Sequence, residues 1–259
     1  MEIINTDYHI LHLLYLFIAG IAAGITNVLA GGGSLLTLPL LIFLGLDTVT
    51  ANGTNRIAVG MQSLISVLTF RRKGYGNIGF CLFLALPAIP GTLLGALTAT
   101  KIEDDIFKRI LSVVMLVVLA LILSANKIKS SIAGDEDSLS ISKRLTLLFL
   151  FIGIGFYIGF IQAGAGILII AVLSSLMRID LVKINYYKLF ITGILTWTSV
   201  IGFLFFGRIL WHVALILAGG STIGGWLGTH IAILGGEKWV KIFLVFSVLI
   251  MSSKLAGLF

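Results

Sequence analysis

Residues 24–59 read GITNVLAGGGSLLTLPLLIFLGLDTVTANGTNRIAV, and the rest of the chain is best read outward from them. An apolar run ends at Gly31-Gly32-Gly33, and a second run over 34–46 follows it. That run is short of the roughly 20 residues a helix needs to cross a bilayer, so it reads as a tilted half-helix or a re-entrant arm. Asp47 takes a loop position, and in the third run Asn52, Asn55, Val59, Ser63 and Ser66 recur every three or four residues, placing them on one helical face.

The same pattern returns 133 residues later. Gly31 and Gly33 fall on Gly164 and Gly166, Asp47 on Asp180, Val49 on Val182, Asn52 on Asn185, Gly74 on Gly207, Gly91 on Gly224 and Gly95 on Gly228. The polar stripe is matched by Asn185, Lys188, Thr192, Thr196 and Ser199. These matches point to an internal duplication. The repeats would cover 1–123 and 144–259, joined by a polar linker at 124–143 that carries Asp135, Glu136 and Asp137.

Composition sets the solvent. Of 259 residues, 58% are hydrophobic and 11% charged, and mean hydropathy is +1.12; soluble domains carry about 25% charged residues. Ten apolar segments are expected, near 10–29, 34–46, 50–70, 78–100, 106–124, 144–162, 166–177, 184–206, 210–233 and 239–257, with full crossings numbering between eight and ten. The fold class is therefore an all-α polytopic membrane protein. Five segments per repeat is an odd number, which turns the second copy over and gives two inverted repeats. With the amino terminus outside, Arg71-Arg72-Lys73, the linker, Arg178 with Lys183, and Lys238 with Lys241 all fall on the cytoplasmic side, as in a multi-pass cell-membrane protein of prokaryotic type. Lys108, Arg109 and Arg208 run against that rule.

The net charge of +7 lies in short clusters between apolar runs, which argues against nucleic acid as a partner. The lone Cys81 excludes an internal disulfide or a cysteine metal cluster, and its apolar neighbours mark it as packing. The amino terminus lacks a basic signal-peptide region, so the first run is expected to stay as a helix. Pro87 and Pro90, offset from Gly220 and Ile223, suggest breaks in the fourth and ninth segments. No HExxH or Gly-x-Ser-x-Gly pattern and no paired carboxylate occurs in an apolar segment, so no enzyme, cofactor or metal site is expected. His230 is read as packing before proton relay.

Two cations inside apolar segments, Arg56 and Lys188, need partners, and Asp47 and Asp180 reach only the segment mouths. Snorkelling to the surface is one solution and a bound anion the other. Helices that start after Ala30-Gly31-Gly32-Gly33-Ser34 and Gln162-Ala163-Gly164-Ala165-Gly166 would aim unpaired N–H groups at such an anion, unless the glycines serve only close helix packing.

The stretch from Gly20 to Lys73, with its glycine run, Pro39, Gly45 and Ala51-Asn52-Gly53-Thr54-Asn55, resembles the TauE/SafE sulfite exporter family, also called the 4-toluene sulfonate uptake permeases. GFIQAGAGILI and GGWLGTHIA resemble that family's second repeat. The resemblance implies a two-repeat permease for small anions such as sulfite, sulfoacetate or other organosulfonates. It carries motif residues over to Gly31, Gly32, Gly33, Pro39, Asn52, Thr54 and Asn55. The second half departs from the motif, with Tyr186-Tyr187-Lys188 where the first has Gly53-Thr54-Asn55.

Together these readings predict a substrate site built from Gly31, Gly32, Gly33, Ser34, Asn52, Thr54, Asn55, Arg56, Gln162, Gly164, Gly166, Asn185 and Lys188. Alternating access would be driven by an ion or membrane gradient, with proton and sodium both open as the coupling ion. An anion channel or a non-transporting scaffold subunit is the alternative, and the sequence leaves oligomeric state open.

Overall fold

The computed structural model of the chain describes residues 10–124, 140–177 and 179–235. The tenth expected segment, Arg178, Lys238, Lys241 and most of the linker, with Asp135, Glu136 and Asp137, lie outside the described residues. Within them the chain forms α1 (Ile10–Ala30), α2 (Ser34–Phe43), α3 (Thr48–Arg72), α4 (Ile78–Lys101), α5 (Asp104–Ser124), α6 (Ile141–Phe160), α7 (Ala165–Leu176), α8 (Leu181–Phe205) and α9 (Trp211–Ile233), with no strand. Four of these, α1, α4, α6 and α8, are long and apolar enough to cross a membrane. Their outward residues are what lipid rather than water requires: Phe149, Leu94, Leu215 and Val113 are all exposed.

The duplication shows in the helix boundaries. Both α3 and α8 contain 25 residues and begin 133 positions apart, at Thr48 and Leu181, and α4 and α9 begin at Ile78 and Trp211 with the same spacing. Asp47 and Asp180 are equivalent for a local reason. Each accepts a hydrogen bond from a first-turn amide, Thr50 N at 3.0 Å and Val182 N at 3.2 Å, and so starts its helix.

Partners are exchanged between the repeats. α1 packs along α9, and its counterpart α6 packs along α4. Glycines make both seams. Gly20 and Gly24 of α1 lie on the backbone at Leu217, Gly220, Ser221 and Gly225, while Gly155 and Gly159 of α6 lie on Ala88, Thr92 and Ala96. The order of these contacts makes each of those pairs parallel. α3 and α8, the equivalent central helices, are antiparallel: Gly53 lies beside Phe203 and Arg208, Gly60 beside Trp197, and Ser63 beside Gly193. Equivalent helices packed head to tail are related by an axis perpendicular to them, which is the geometry of an inverted repeat.

One end of the bundle gathers the α2–α3, α4–α5 and α8–α9 junctions. Asp47 pairs with Arg208 at 3.7 Å, and Thr48 N donates to Asp104 Oδ1 at 2.6 Å. The other end carries the α3–α4 turn, where Gly76 touches the Tyr186 ring and Phe80 meets Tyr187 with ring centroids 5.3 Å apart. From the first end α2 rises about 15 Å inward, half of a roughly 30 Å hydrocarbon core. From the opposite end α7 rises about 18 Å. Their starts meet: a Cβ on Gly31 would lie 2.7 Å from Ile167 N and closer still to the backbone of Gly166. The short second and seventh segments are thus half-helices.

The expected breaks in the fourth and ninth segments are absent. α4 runs unbroken through Pro87 and Pro90, and α9 through Gly219 and Gly220. A proline removes one ladder bond, which neighbouring helices and slight bending absorb. The two glycines let α9 approach α1, with Gly220 on the Phe17 carbonyl.

The seams can be tested against an open position. Gly224→Val would push a side chain into Ile21 and Gly24, costing about 1–3 kcal/mol. Gly153 has nothing within 4 Å of its missing Cβ, so Gly153→Ala should be neutral or stabilising by up to about 1 kcal/mol. Thermal unfolding in detergent measures both.

Candidate functional site

α1 and α6 both stop inside the bundle, and a helix that stops there leaves its final carbonyls without partners. Each end is closed by the opposite repeat. Arg56 of α3, fully buried, donates from Nη1 to Ile158 O at 2.8 Å and from Nη2 to Gly159 O at 2.6 Å. Asn52 Nδ2 adds a bond to Phe160 O at 2.7 Å. Ser199 Oγ accepts a further Arg56 hydrogen bond at 2.6 Å, and the guanidinium lies 4.5 Å from the centre of the Phe203 ring. On the other side Lys188 of α8, also buried, donates from Nζ to Asn27 O at 2.9 Å and to Val28 O, in the last turn of α1. Cations belong at helix carboxyl ends because the dipole there is negative.

This answers the question that the sequence posed for Arg56 and Lys188. Neither cation snorkels, and neither meets an acid: the described ion pairs join Lys108 to Asp104 and Asp105, and Arg208 to Asp47, all at helix ends. Their partners are backbone carbonyls, a class of acceptor that no side-chain pattern reveals.

Beside these closed carboxyl ends stand two open amino ends. α2 starts after Gly33 and α7 after Gly164, neither with a side-chain cap. Gly31 and Gly164 take positive φ, 78° and 71°, as tight reversals of the chain require. Gly166 touches Gly31 and has the Lys188 stem 3.0 Å from where its Cβ would be. Gln162 adopts a left-handed φ of 67°, the sole described residue other than glycine to do so. That backbone turns its carboxamide inward, where Nε2 bonds Thr196 Oγ1 and Oε1 is left without a partner.

The predicted residues separate into two groups. Around the end of α1 lie Gly31, Gly33, Ser34, Asn55, Gly166 and Lys188, with Asn55 Nδ2 donating to Ser34 Oγ at 3.0 Å. Around the end of α6 lie Asn52, Arg56 and Gln162. Three residues face elsewhere. Thr54 Oγ1 accepts from Leu210 N at 3.0 Å at the start of α9, Gly164 abuts Val118 of α5, and the Gly32 carbonyl accepts from Leu35 N within its own turn. Asn185, matched to Asn52, has no partner for its Oδ1.

Sequence reasoning missed Asn27, Thr37, Gln62 and Ser221. With Gly33 and Asn55 they line a small polar cavity between α1, α2, α3 and α9. Gln62 sits one position off the α3 stripe, and Asn27 and Thr37 are single polar residues in apolar runs. The bonds Thr37 Oγ1 to Asn55 Oδ1 at 2.6 Å and Asn27 Nδ2 to Gln62 Oε1 could be anticipated only from the bent path of α1 and α2.

This arrangement, with its triple glycine, meeting half-helices and inverted repeats, agrees with a family match. The Sulfite exporter TauE/SafE model covers residues 16–255. The chain belongs to that family.

Several TauE/SafE-like relatives match along nearly their whole length. The chain is 31% identical over 239 residues to the probable membrane transporter protein ORF9 of Sinorhizobium sp, covering 90% of this chain and 88% of that one. It is 28% identical to a probable membrane transporter protein of Haemophilus influenzae, with 94% of each chain covered. To the probable membrane transporter protein YfcA of Escherichia coli it is 26% identical, over 98% of this chain and 94% of the relative. No solved structure matches. The chain is a membrane transporter.

The crosswise closure of helix ends predicts unequal substitutions. Arg56→Met leaves the Ile158 and Gly159 carbonyls unpaired, and the loss should be about 3 kcal/mol or more. Thr192→Val removes a buried hydroxyl that has no partner and should change stability by less than about 1 kcal/mol. Unfolding of the purified variants in detergent compares them.

Proposed function

We propose that this TauE/SafE chain is a secondary transporter of small anions, sulfite and organosulfonates fitting it best, that works by alternating access of its two repeats across the cell membrane. The observation that carries this reading is the interior charge. Arg56 and Lys188 bring two positive charges into the bundle, and the described acids Asp47, Glu103, Asp104, Asp105 and Asp180 all lie at helix starts or in loops. Two helix carboxyl ends offset about one unit of that charge, and two amino ends restore about as much. The interior is therefore net positive, and a cation entering it would meet repulsion that an anion would not.

A tetrahedral sulfur oxyanion suits such a centre because its oxygens accept from several directions, and backbone N–H groups, amides and hydroxyls supply donors without a second full charge. The family's printed name supports the sulfur chemistry. Repeats turned over relative to one another support alternating access, since exchanging their conformations moves an opening from one membrane face to the other. A gradient of protons or sodium ions drives the cycle. The end with the Arg71-Arg72-Lys73 turn is cytoplasmic, and the Asp47, Asp104 and Arg208 end is outside.

Reconstitution in liposomes with radiolabelled sulfite or sulfoacetate tests this. Uptake should saturate, should show counterflow, and should fall sharply in Lys188→Met. Unsaturable flux with single-channel conductance would exclude alternating access, and no uptake of any anion in the panel would remove the anion reading.

A further inference from the structure

The two repeats are not equal partners in binding. The polar cavity between α1, α2, α3 and α9 is lined by Asn27, Gly33, Thr37, Asn55, Gln62 and Ser221, each at least nine-tenths buried. The positions 133 residues away from them are Phe160, Gly166, Ile170, Lys188, Leu195 and, for Ser221, Ala88. Of the six, only the glycine is kept. Four hydrogen-bonding side chains are replaced by apolar ones of similar or larger size, apart from the small Ser-to-Ala change. The fifth, Asn55, is replaced by Lys188, which does not build a second pocket. Its Nζ reaches across to the carbonyl of Asn27, a residue that lines the first.

The donor chemistry favours an acceptor-rich ligand. Asn27, Asn55 and Gln62 each carry two protons on the amide nitrogen. The bonds described use one apiece, Asn27 to Gln62 Oε1, Asn55 to Ser34 Oγ and Gln62 to Ser66 Oγ at 3.2 Å. The cavity also opens on Gly33, where α2 begins without a side-chain cap. Here an open helix start coincides with an enclosed polar lining and an adjacent cation, whereas the equivalent place in the second repeat holds Phe160, Ile170 and Leu195.

We propose that this cavity is the single anion-recognition pocket of the chain, that Asn27, Thr37, Asn55 and Gln62 set its selectivity through uncharged donors, and that the second repeat contributes charge through Lys188 without a site of its own. The inference rests on the anion-transport reading and goes further by fixing which residues recognise the cargo and how many cargo sites there are. One oxyanion or organosulfonate group binds per chain, close to the α2 start and displaced from the pseudo-symmetry axis that passes between Gly60 and Gly193.

The test uses the full chain in liposomes, with radiolabelled sulfite and methanesulfonate as probes. Gln62→Leu and Thr37→Ile install the second-repeat residues, and each should raise KM for both anions by about tenfold or more, the weight of one lost hydrogen bond to a charged group. Gln62→Glu, nearly identical in shape, should abolish uptake by repelling the anion, with a melting temperature close to that of the unaltered chain. Equilibrium binding of radiolabelled sulfite should saturate at one site per chain. If the unaltered chain transports while well-folded Gln62→Leu, Thr37→Ile and Gln62→Glu proteins keep KM within about twofold, the pocket assignment is overturned and the transport reading stands. Binding of two anions per chain overturns the one-sided arrangement. Absence of uptake by the unaltered chain removes both readings together.

Discussion

A helix that stops inside a bundle meant for lipid has to find acceptably charged company for its last carbonyls, and this fold meets that demand twice. Water is excluded there, and each unsatisfied group costs several kcal/mol. The solution is reciprocal: Arg56 and Asn52 of the first repeat hold the end of α6, and Lys188 of the second holds the end of α1. Neither repeat can bury its own broken helix alone. The head-to-tail packing of α3 and α8 follows, because it carries each cation to the opposite copy's break, and the glycine seams follow from how closely α1 and α6 must lie against α9 and α4.

The same bonds give the interior its electrostatic character. Had carboxylates paired with these cations, the centre would be neutral and indifferent to an anion. Carbonyls satisfy the hydrogen-bonding capacity of Arg56 and Lys188 but cancel only part of their charge. What the fold requires structurally thus leaves a positive potential at mid-depth, beside the two helix starts where Gly31 and Gly166 meet.

Much of this was legible in the sequence because apolar run length and helical spacing are direct physical signals. The nine described helices lie close to the expected segments, and the offset of 133 residues reappears in the starts of α3 and α8 and of α4 and α9. The shortness of α2 and α7 was likewise readable from the glycines that precede them. Proline misled, since Pro87 and Pro90 look like breakers in one dimension while the helix around them is held by its neighbours. The partners of Arg56 and Lys188 were invisible for a different reason: a backbone carbonyl has no residue type. Asn27, Thr37 and Gln62 were missed because each is a single polar residue on its own helix, and their association depends on the third dimension.

The meeting of Gly31 and Gly166 brings main chain against main chain with no side chain between them. Interlocked side chains resist sliding, since each must climb over its neighbour, whereas bare peptide planes present a smooth bearing. The two half-membrane arms are therefore tied firmly at their far ends and bear on one another at a junction of low friction. A rocking motion would pivot there, leaving the cap bonds at the ends of α1 and α6 to set its limits.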